Sequence, residues 1–142
     1  MALYARDILL VEDDDADALL IQDALEDQHD QRNVTQAEDG VIALEYLRDP
    51  ARPRPDLIVL DLNMPRMNGH ELLDVLKNDD ALRTIPVVVL STSSTPGDVQ
   101  GAYGRHANAY VTKPVSLDDF MGAVQSIDTF FLRTATSAPR AA

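Results

Sequence analysis

Three stretches of this chain are apolar without interruption: Ile8-Leu9-Leu10-Val11, Leu57-Ile58-Val59-Leu60 and Ile85-Pro86-Val87-Val88-Val89-Leu90. A strand with one wet face alternates apolar and polar residues. A run that does not alternate suits a strand buried on both faces, as in a parallel sheet covered by helices. Segments with helical spacing separate these runs. Ala18, Ile21 and Leu25 predict a helix to about Gln28, Val41, Leu44 and Leu47 a second, and Leu72, Val75 and Leu76 a third. Phe120, Val124, Ile127 and Phe131 form the stripe of the last. Asn33 to Ala37 and Asn108 to Thr112 are weaker strand candidates. Five strands alternating with five helices predict an α/β domain, a doubly wound parallel five-stranded sheet with right-handed crossovers and helices on both faces.

Local signals agree. The prolines between Pro50 and Pro55 hold that loop extended. Asn68 with Glu71 reads as a capping box, and Ser116 with Asp119 resembles one. Thr95-Pro96-Gly97-Asp98 reads as an N-cap, a proline at the first helical position and a first-turn acid. Residues 1–133 form one domain on this reading, and the polar, alanine-rich 134–142 is a frayed tail.

Composition limits the partners. The net charge of −12 argues against nucleic acid or an anionic membrane, both of which demand basic patches. The chain has no cysteine, which rules out disulfides and thiolate metal sites. With no apolar run of membrane length and no signal-like start, a cytoplasmic location is expected.

Each clear apolar run ends in a group that can handle phosphate or metal. The first ends in Glu12-Asp13, the next in Asp61 and the next in Ser91, while the fifth strand ends at Lys113. A parallel sheet delivers all of them to its carboxyl edge, where open α/β proteins bind ligands. Crowded carboxylates need a cation, and hard oxygen ligands suit Mg²⁺. Phosphoryl transfer to Asp61 needs positioning and charge neutralisation more than a strong nucleophile, and a lysine and a hydroxyl can hold the phosphoryl oxygens. Asp14 and Asp15 read simply as acids at a helix N-terminus.

With these residues in place, the chain from about Asp7 to Phe131 resembles the receiver domain of bacterial two-component response regulators. The match comprises the acidic pair Glu12-Asp13, the acceptor Asp61, the hydroxyl Ser91, the switch aromatic Tyr110, and Lys113 followed by Pro114, at the family's intervals. Asp61-Leu62-Asn63-Met64-Pro65, with Asn68-Gly69, matches its phosphorylation loop. The resemblance implies a flavodoxin-like fold with strand order 2-1-3-4-5. It also implies that Asp13, Asp61 and the Asn63 carbonyl ligate Mg²⁺, that Glu12 acts through water, and that Ser91 and Tyr110 form the switch. The partner is then a sensor histidine kinase or a phosphotransfer protein. The proline loop and Leu90-Ser91-Thr92-Ser93 are similar to stand-alone regulators that pair with phytochrome-type kinases, which makes a bacteriophytochrome a candidate. Thr92 departs from the Ala or Gly common in the family.

The rival is an aspartyl-phosphate hydrolase of the haloacid dehalogenase type, which wants a second Asp where this chain has Asn63. Further expectations accompany the receiver reading. Output is by protein–protein contact, and the protein is no enzyme beyond promoting its own phosphorylation and slow autodephosphorylation. Phe130-Phe131-Leu132 leaves an apolar side chain for a homodimer. The Lys113–Pro114 bond is cis. In the unmodified state the Tyr110 ring faces solvent, and His29, His70 and His106 are solvated.

Overall fold

The computed structural model describes residues 6–26 and 31–138. In chain order its elements are β1 (Arg6–Val11), α1 (Asp15–Glu26), β2 (Arg32–Ala37), α2 (Gly40–Arg48), β3 (Leu57–Leu60), α3 (Gly69–Lys77), β4 (Val87–Ser91), α4 (Pro96–Gly104), β5 (Ala109–Thr112) and α5 (Leu117–Asp128). A π-helical turn, Thr129–Thr134, follows α5. All neighbouring strands pair in parallel, in the order β2-β1-β3-β4-β5. This is the fold class and strand order expected of the sequence. The predicted end of the first helix at Gln28, like His29, lies outside the described residues.

The unbroken apolar runs serve two cores at once. Leu9, Val11, Ile58, Leu60, Val87 and Val89 pack on one face with Leu72, Leu73, Leu76 and Ala102 of α3 and α4. Ile8, Leu10, Leu57, Val59, Val88 and Leu90 pack on the other with Ile21 and Leu25 of α1 and Phe120, Val124 and Ile127 of α5. Burial of one such side chain is worth about 1.5–3 kcal/mol, so both faces hold the strands in register. β4 begins at Val87 rather than Ile85, because Pro86 has no N–H to give the ladder. The Pro86 carbonyl still accepts from Ile58 N at 2.9 Å.

The helix starts follow their side-chain signals. Asn68 and Glu71 exchange both bonds of the capping box. Thr95 caps α4 ahead of Pro96. Ser116 accepts from Asp119 N, the first half of the box predicted there. Asp14 Oδ1 accepts from Asp17 N at the start of α1, as expected of an N-terminal acid.

The expected stripe packs on the core, with Phe131 against its edge, and the chain beyond α5 adds to it. Ala135 N donates to the Phe130 carbonyl at 2.7 Å, an i→i+5 bond that widens the turn. Leu132 is buried as well, Phe131 is half-buried against the same core, and Phe130 is 54% exposed with its ring edge-on to Phe131. Beside this turn lies a contact without a sequence signal. The Arg32 guanidinium of edge strand β2 makes a two-pronged pair with Asp128 at 2.6 and 2.9 Å, and both side chains are almost fully buried. Ser137 Oγ accepts from Arg6 Nη1 at 3.0 Å, which ties the following segment to β1.

Candidate functional site

Strand register assembles the site. Val11 pairs with Leu60, and Asp61 N donates to the Val11 carbonyl at 3.0 Å, so Asp61 lies beside Glu12 and Asp13. This is the point where strand order reverses between β1 and β3, the usual ligand crevice of a doubly wound sheet. One carboxylate oxygen from each of Glu12, Asp13 and Asp61 lies within 4.8 Å of the others. On the other side, Ser91 pairs with Thr112 and Lys113 N donates to the Ser91 carbonyl at 2.7 Å. The structure thus brings Glu12, Asp13, Asp61, Ser91 and Lys113 to one edge. Asn63 sits exposed two residues beyond Asp61.

The electrostatics are unbalanced. Glu12 is buried and gives one oxygen to Lys113 Nζ at 2.6 Å and the other to Asp14 N at 3.2 Å. Lys113 Nζ also donates to Asp17 Oδ2 at 2.8 Å and stands 4.0 Å from Asp61 Oδ2. Burial pushes the Glu12 carboxyl up to about 7, with the Asp61 charge adding to it, and the bond from Lys113 only partly offsets this. Burial alone would lower Lys113, but its bonds to Asp17 and Glu12 and the Asp61 charge outweigh that and push it up. One ammonium here faces three carboxylates, Glu12, Asp17 and Asp61, with Asp13 beside them. A divalent cation among Glu12, Asp13 and Asp61 supplies the missing positive charge, so the residues present fit Mg²⁺.

A pH dependence follows. The native-state value of Glu12 lies above the unfolded one, so the folded protein holds this proton more tightly. The resulting stabilisation is present at pH 4 and is lost as pH rises through about 7. Without divalent cations, the melting temperature should fall between pH 5 and pH 7.5, and Mg²⁺ should restore much of it at the upper end. General repulsion at net charge −12 acts in the same direction, so Glu12→Gln is the control. A melting curve equally steep with pH in that variant would remove Glu12 as the cause.

Asp17 had no place among the expected site residues. It is half-buried, in the first turn of α1, and takes a second hydrogen bond from Lys113. Its only sequence signal was its position in the first turn of a helix that starts at this edge. Thr92 is exposed and lines a cleft of about 250 Å³ with Asp17, Lys113, Pro114 and Leu117.

Three expectations are corrected. No peptide bond among the described residues is cis, so Lys113–Pro114 is trans. The lysine reaches Glu12 and Asp17 without the reversal, and trans is the intrinsic preference of an X–Pro bond. The Tyr110 ring is half-buried against the core, and its hydroxyl donates to the Ser93 carbonyl at 2.6 Å, which draws it out of solvent. His70 packs between α3 and α4 rather than standing in water; its Nε2 meets Asp98 at 3.2 Å, and its Nδ1 is buried without a partner. His106 is exposed, as expected.

Residues 8–125 match the response regulator receiver domain. The chain belongs to that family. It is similar to the response regulator Rcp1 of Synechocystis sp., at 41% identity over 133 residues, spanning 91% of this chain and 90% of that protein. Among solved structures it is similar to the phosphorylated cyanobacterial phytochrome response regulator RcpA, with TM-score 0.92 and 42% identity over 96% of this chain and 100% of that one. The Mn²⁺-bound form of Rcp1 follows at TM-score 0.89 and 40% identity, over 94% and 99%. This receiver therefore works in two-component signalling: it accepts a phosphoryl group from a histidine kinase on Asp61 with Mg²⁺ and is not an enzyme of the ordinary kind. The hydrolase alternative has no support, and Asn63 stands where it needs an acid. Among the described residues, no helix is long and apolar enough to cross a membrane.

Proposed function

We propose that the remaining site residues divide the work as follows. Asp13, Asp61 and the Asn63 carbonyl hold Mg²⁺, with Glu12 acting through water. When bound, the cation neutralises the charge that builds on the phosphoryl oxygens. Asp61 presents a carboxylate oxygen in line with the N–P bond of a phosphohistidine. The new O–P bond forms as that bond breaks, and the imidazole leaves with the bonding pair. Lys113 and Ser91 hold the transferred group, Lys113 as a point charge and Ser91 as a hydrogen-bond donor. The observation that carries this reading is Lys113 Nζ at 4.0 Å from Asp61, beside three clustered carboxylates.

The switch lies in residues 91–93. Ser91 Oγ accepts from Ser93 N at 3.2 Å, and the Ser93 carbonyl accepts from the Tyr110 hydroxyl. Turning Ser91 toward a phosphoryl oxygen gives up the first bond and moves the carbonyl that Tyr110 holds. One new charge-assisted bond is worth about 1.5–3 kcal/mol, a population shift of roughly ten- to a hundredfold. Ser91→Ala should still take up phosphate while the Tyr110 ring signals stay fixed on adding beryllofluoride. Wild-type ring signals that do not move would remove Tyr110 from the switch.

The partner in this proposal is a histidine kinase of the phytochrome type, since relatives named for phytochrome signalling span nearly the whole chain. Signalling runs through protein contact in the cytoplasm, with slow autodephosphorylation, from a domain ending near residue 133. Exposed Phe130 supplies an apolar ring for a homodimer. Sedimentation of the beryllofluoride samples at high concentration tests this, and a monomer with and without activation would dispose of it.

A further inference from the structure

The loop that joins Asp61 to α3 is fastened to a part of the chain that the phosphoryl chemistry does not otherwise involve. Arg66, in the middle of that loop, has φ 60°, a left-handed conformation that a residue with a Cβ rarely adopts. Its Nε donates to Asp39 Oδ2 at 2.8 Å and its Nη2 to Asp39 Oδ1 at 3.2 Å. Asp39 is buried, sits just ahead of α2, and caps that helix through Ile42 N at 3.0 Å. The guanidinium holds the Asp39 carboxyl below the usual range, burial opposing it, and the Ile42 amide adds to the lowering. The carboxylate is therefore charged wherever the site works.

The neighbouring residues repeat the attachment. Gly40 N donates to the Met67 carbonyl at 3.1 Å, and a Cβ on Gly40 would lie 2.7 Å from Met67 Cγ. At the far end, Gly69 N donates to the Leu62 carbonyl at 2.9 Å, and a Cβ on Gly69 would meet the Asp61 carbonyl oxygen at 2.5 Å. The loop is thus pinned at its base by Gly69 and at its crest by Asp39 and Gly40. Asn63 lies between these anchors, exposed and three residues from Arg66.

We propose that the Asp39–Arg66 pair is a positioning device for the phosphorylation loop, holding residues 62–68 in the one conformation that presents the Asn63 carbonyl beside Asp61 to the divalent cation. The proposal rests on the reading of Glu12, Asp13 and Asp61 as the cation site. The left-handed turn at Arg66 aims the guanidinium back at α2, and the two-pronged bond keeps the turn from relaxing. Partners behind metal ligands act in this way generally, and their loss commonly weakens binding 10- to 100-fold.

The test separates holding the loop from holding the fold. Arg66→Gly removes the guanidinium and makes the left-handed turn easy; Arg66 is itself largely exposed and Asp39 keeps its bond from Ile42 N, so the cation-free melting temperature should fall by no more than a few degrees. Asp39→Asn keeps an oxygen for Ile42 N but loses the charge. Calorimetric titration with Mg²⁺ should show affinity lowered roughly tenfold or more in Arg66→Gly and lowered also in Asp39→Asn. Arg66→Lys, with one prong instead of two, should fall between Arg66→Gly and wild type. Amide exchange should quicken across residues 62–68 and not in the strands. Wild-type affinity in Arg66→Gly, or an affinity loss matched by a large drop in cation-free melting temperature, would overturn the proposal. Wild-type protein that binds no Mg²⁺ would instead overturn the site reading beneath it.

Discussion

Asp128→Ala is expected to destabilise this protein by about 3–5 kcal/mol, a fall in melting temperature of roughly 10 °C or more. The wild-type pair makes two bonds, Arg32 Nε to Oδ2 and Arg32 Nη2 to Oδ1, with both side chains closed off from water. Removing the carboxylate takes the two-pronged acceptor from a guanidinium that is closed off from water and opens a cavity beside it, and the desolvated charge, more than the lost bonds, accounts for the size of the effect. Replacing both residues by apolar ones of similar volume, Arg32→Met with Asp128→Leu, should recover most of the loss. The double variant therefore separates the cost of a buried charge deprived of its carboxylate from a pair that is itself strongly stabilising. Chemical denaturation of the two variants decides it. A single variant within about 1 kcal/mol of wild type would mean that the end of α5 is open to water in solution. The expectation matters beyond stability, because this pair fixes the end of α5 to edge strand β2, next to exposed Phe130.

Arg32–Asp128 also marks where a sequence stops being readable. The strands were legible because burial on both faces leaves unbroken runs such as Leu57–Leu60, and the helix starts because Asn68, Thr95 and Ser116 cap within their own neighbourhoods. Such signals are local. The site residues were legible for a related reason: parallel strands carry their C-terminal residues to one edge, so Glu12, Asp61, Ser91 and Lys113 meet whatever the loops do. Arg32 and Asp128 are 96 positions apart, and Arg66 and Asp39 are 27 apart. Nothing in either partner's local pattern distinguishes it from a solvated surface charge. Asp17 was hidden among the acids that open α1, and only the direction of the Lys113 side chain singles it out.

The errors have physical causes as well. The expected cis bond at Lys113–Pro114 came from family likeness, whereas the trans bond already lets the lysine reach its partners. The expected solvent-facing Tyr110 neglected the carbonyl of Ser93, which offers its hydroxyl a partner beside the core. His70 was expected in water because it carries no phosphodonor context, yet it faces α4 and meets Asp98 across the helix pair. The stripe through Phe131 does reach the core, but the π-helical turn after α5 leaves Phe131 half-buried and brings Leu132 in beside it, which a regular helix does not anticipate.

The second large effect is complete loss of phosphate uptake on replacing Asp61, and it bears on the central claim. The new bond is an acyl phosphate, so its oxygen must come from a carboxylate. Asp61→Asn keeps the side chain's shape and an oxygen for Leu62 N, which now binds Asp61 Oδ1 at 2.8 Å, but removes the nucleophile. Asp13, at the same edge, is the exposed alternative carboxylate of the cluster, Glu12 being buried. Intact-mass spectrometry after incubation with acetyl phosphate and Mg²⁺ measures the outcome directly. Wild type should gain one phosphoryl mass that is lost in base, chelation of Mg²⁺ should abolish the gain, and Asp61→Asn should gain nothing. A phosphoryl mass on Asp61→Asn equal to that on wild type would contradict the account.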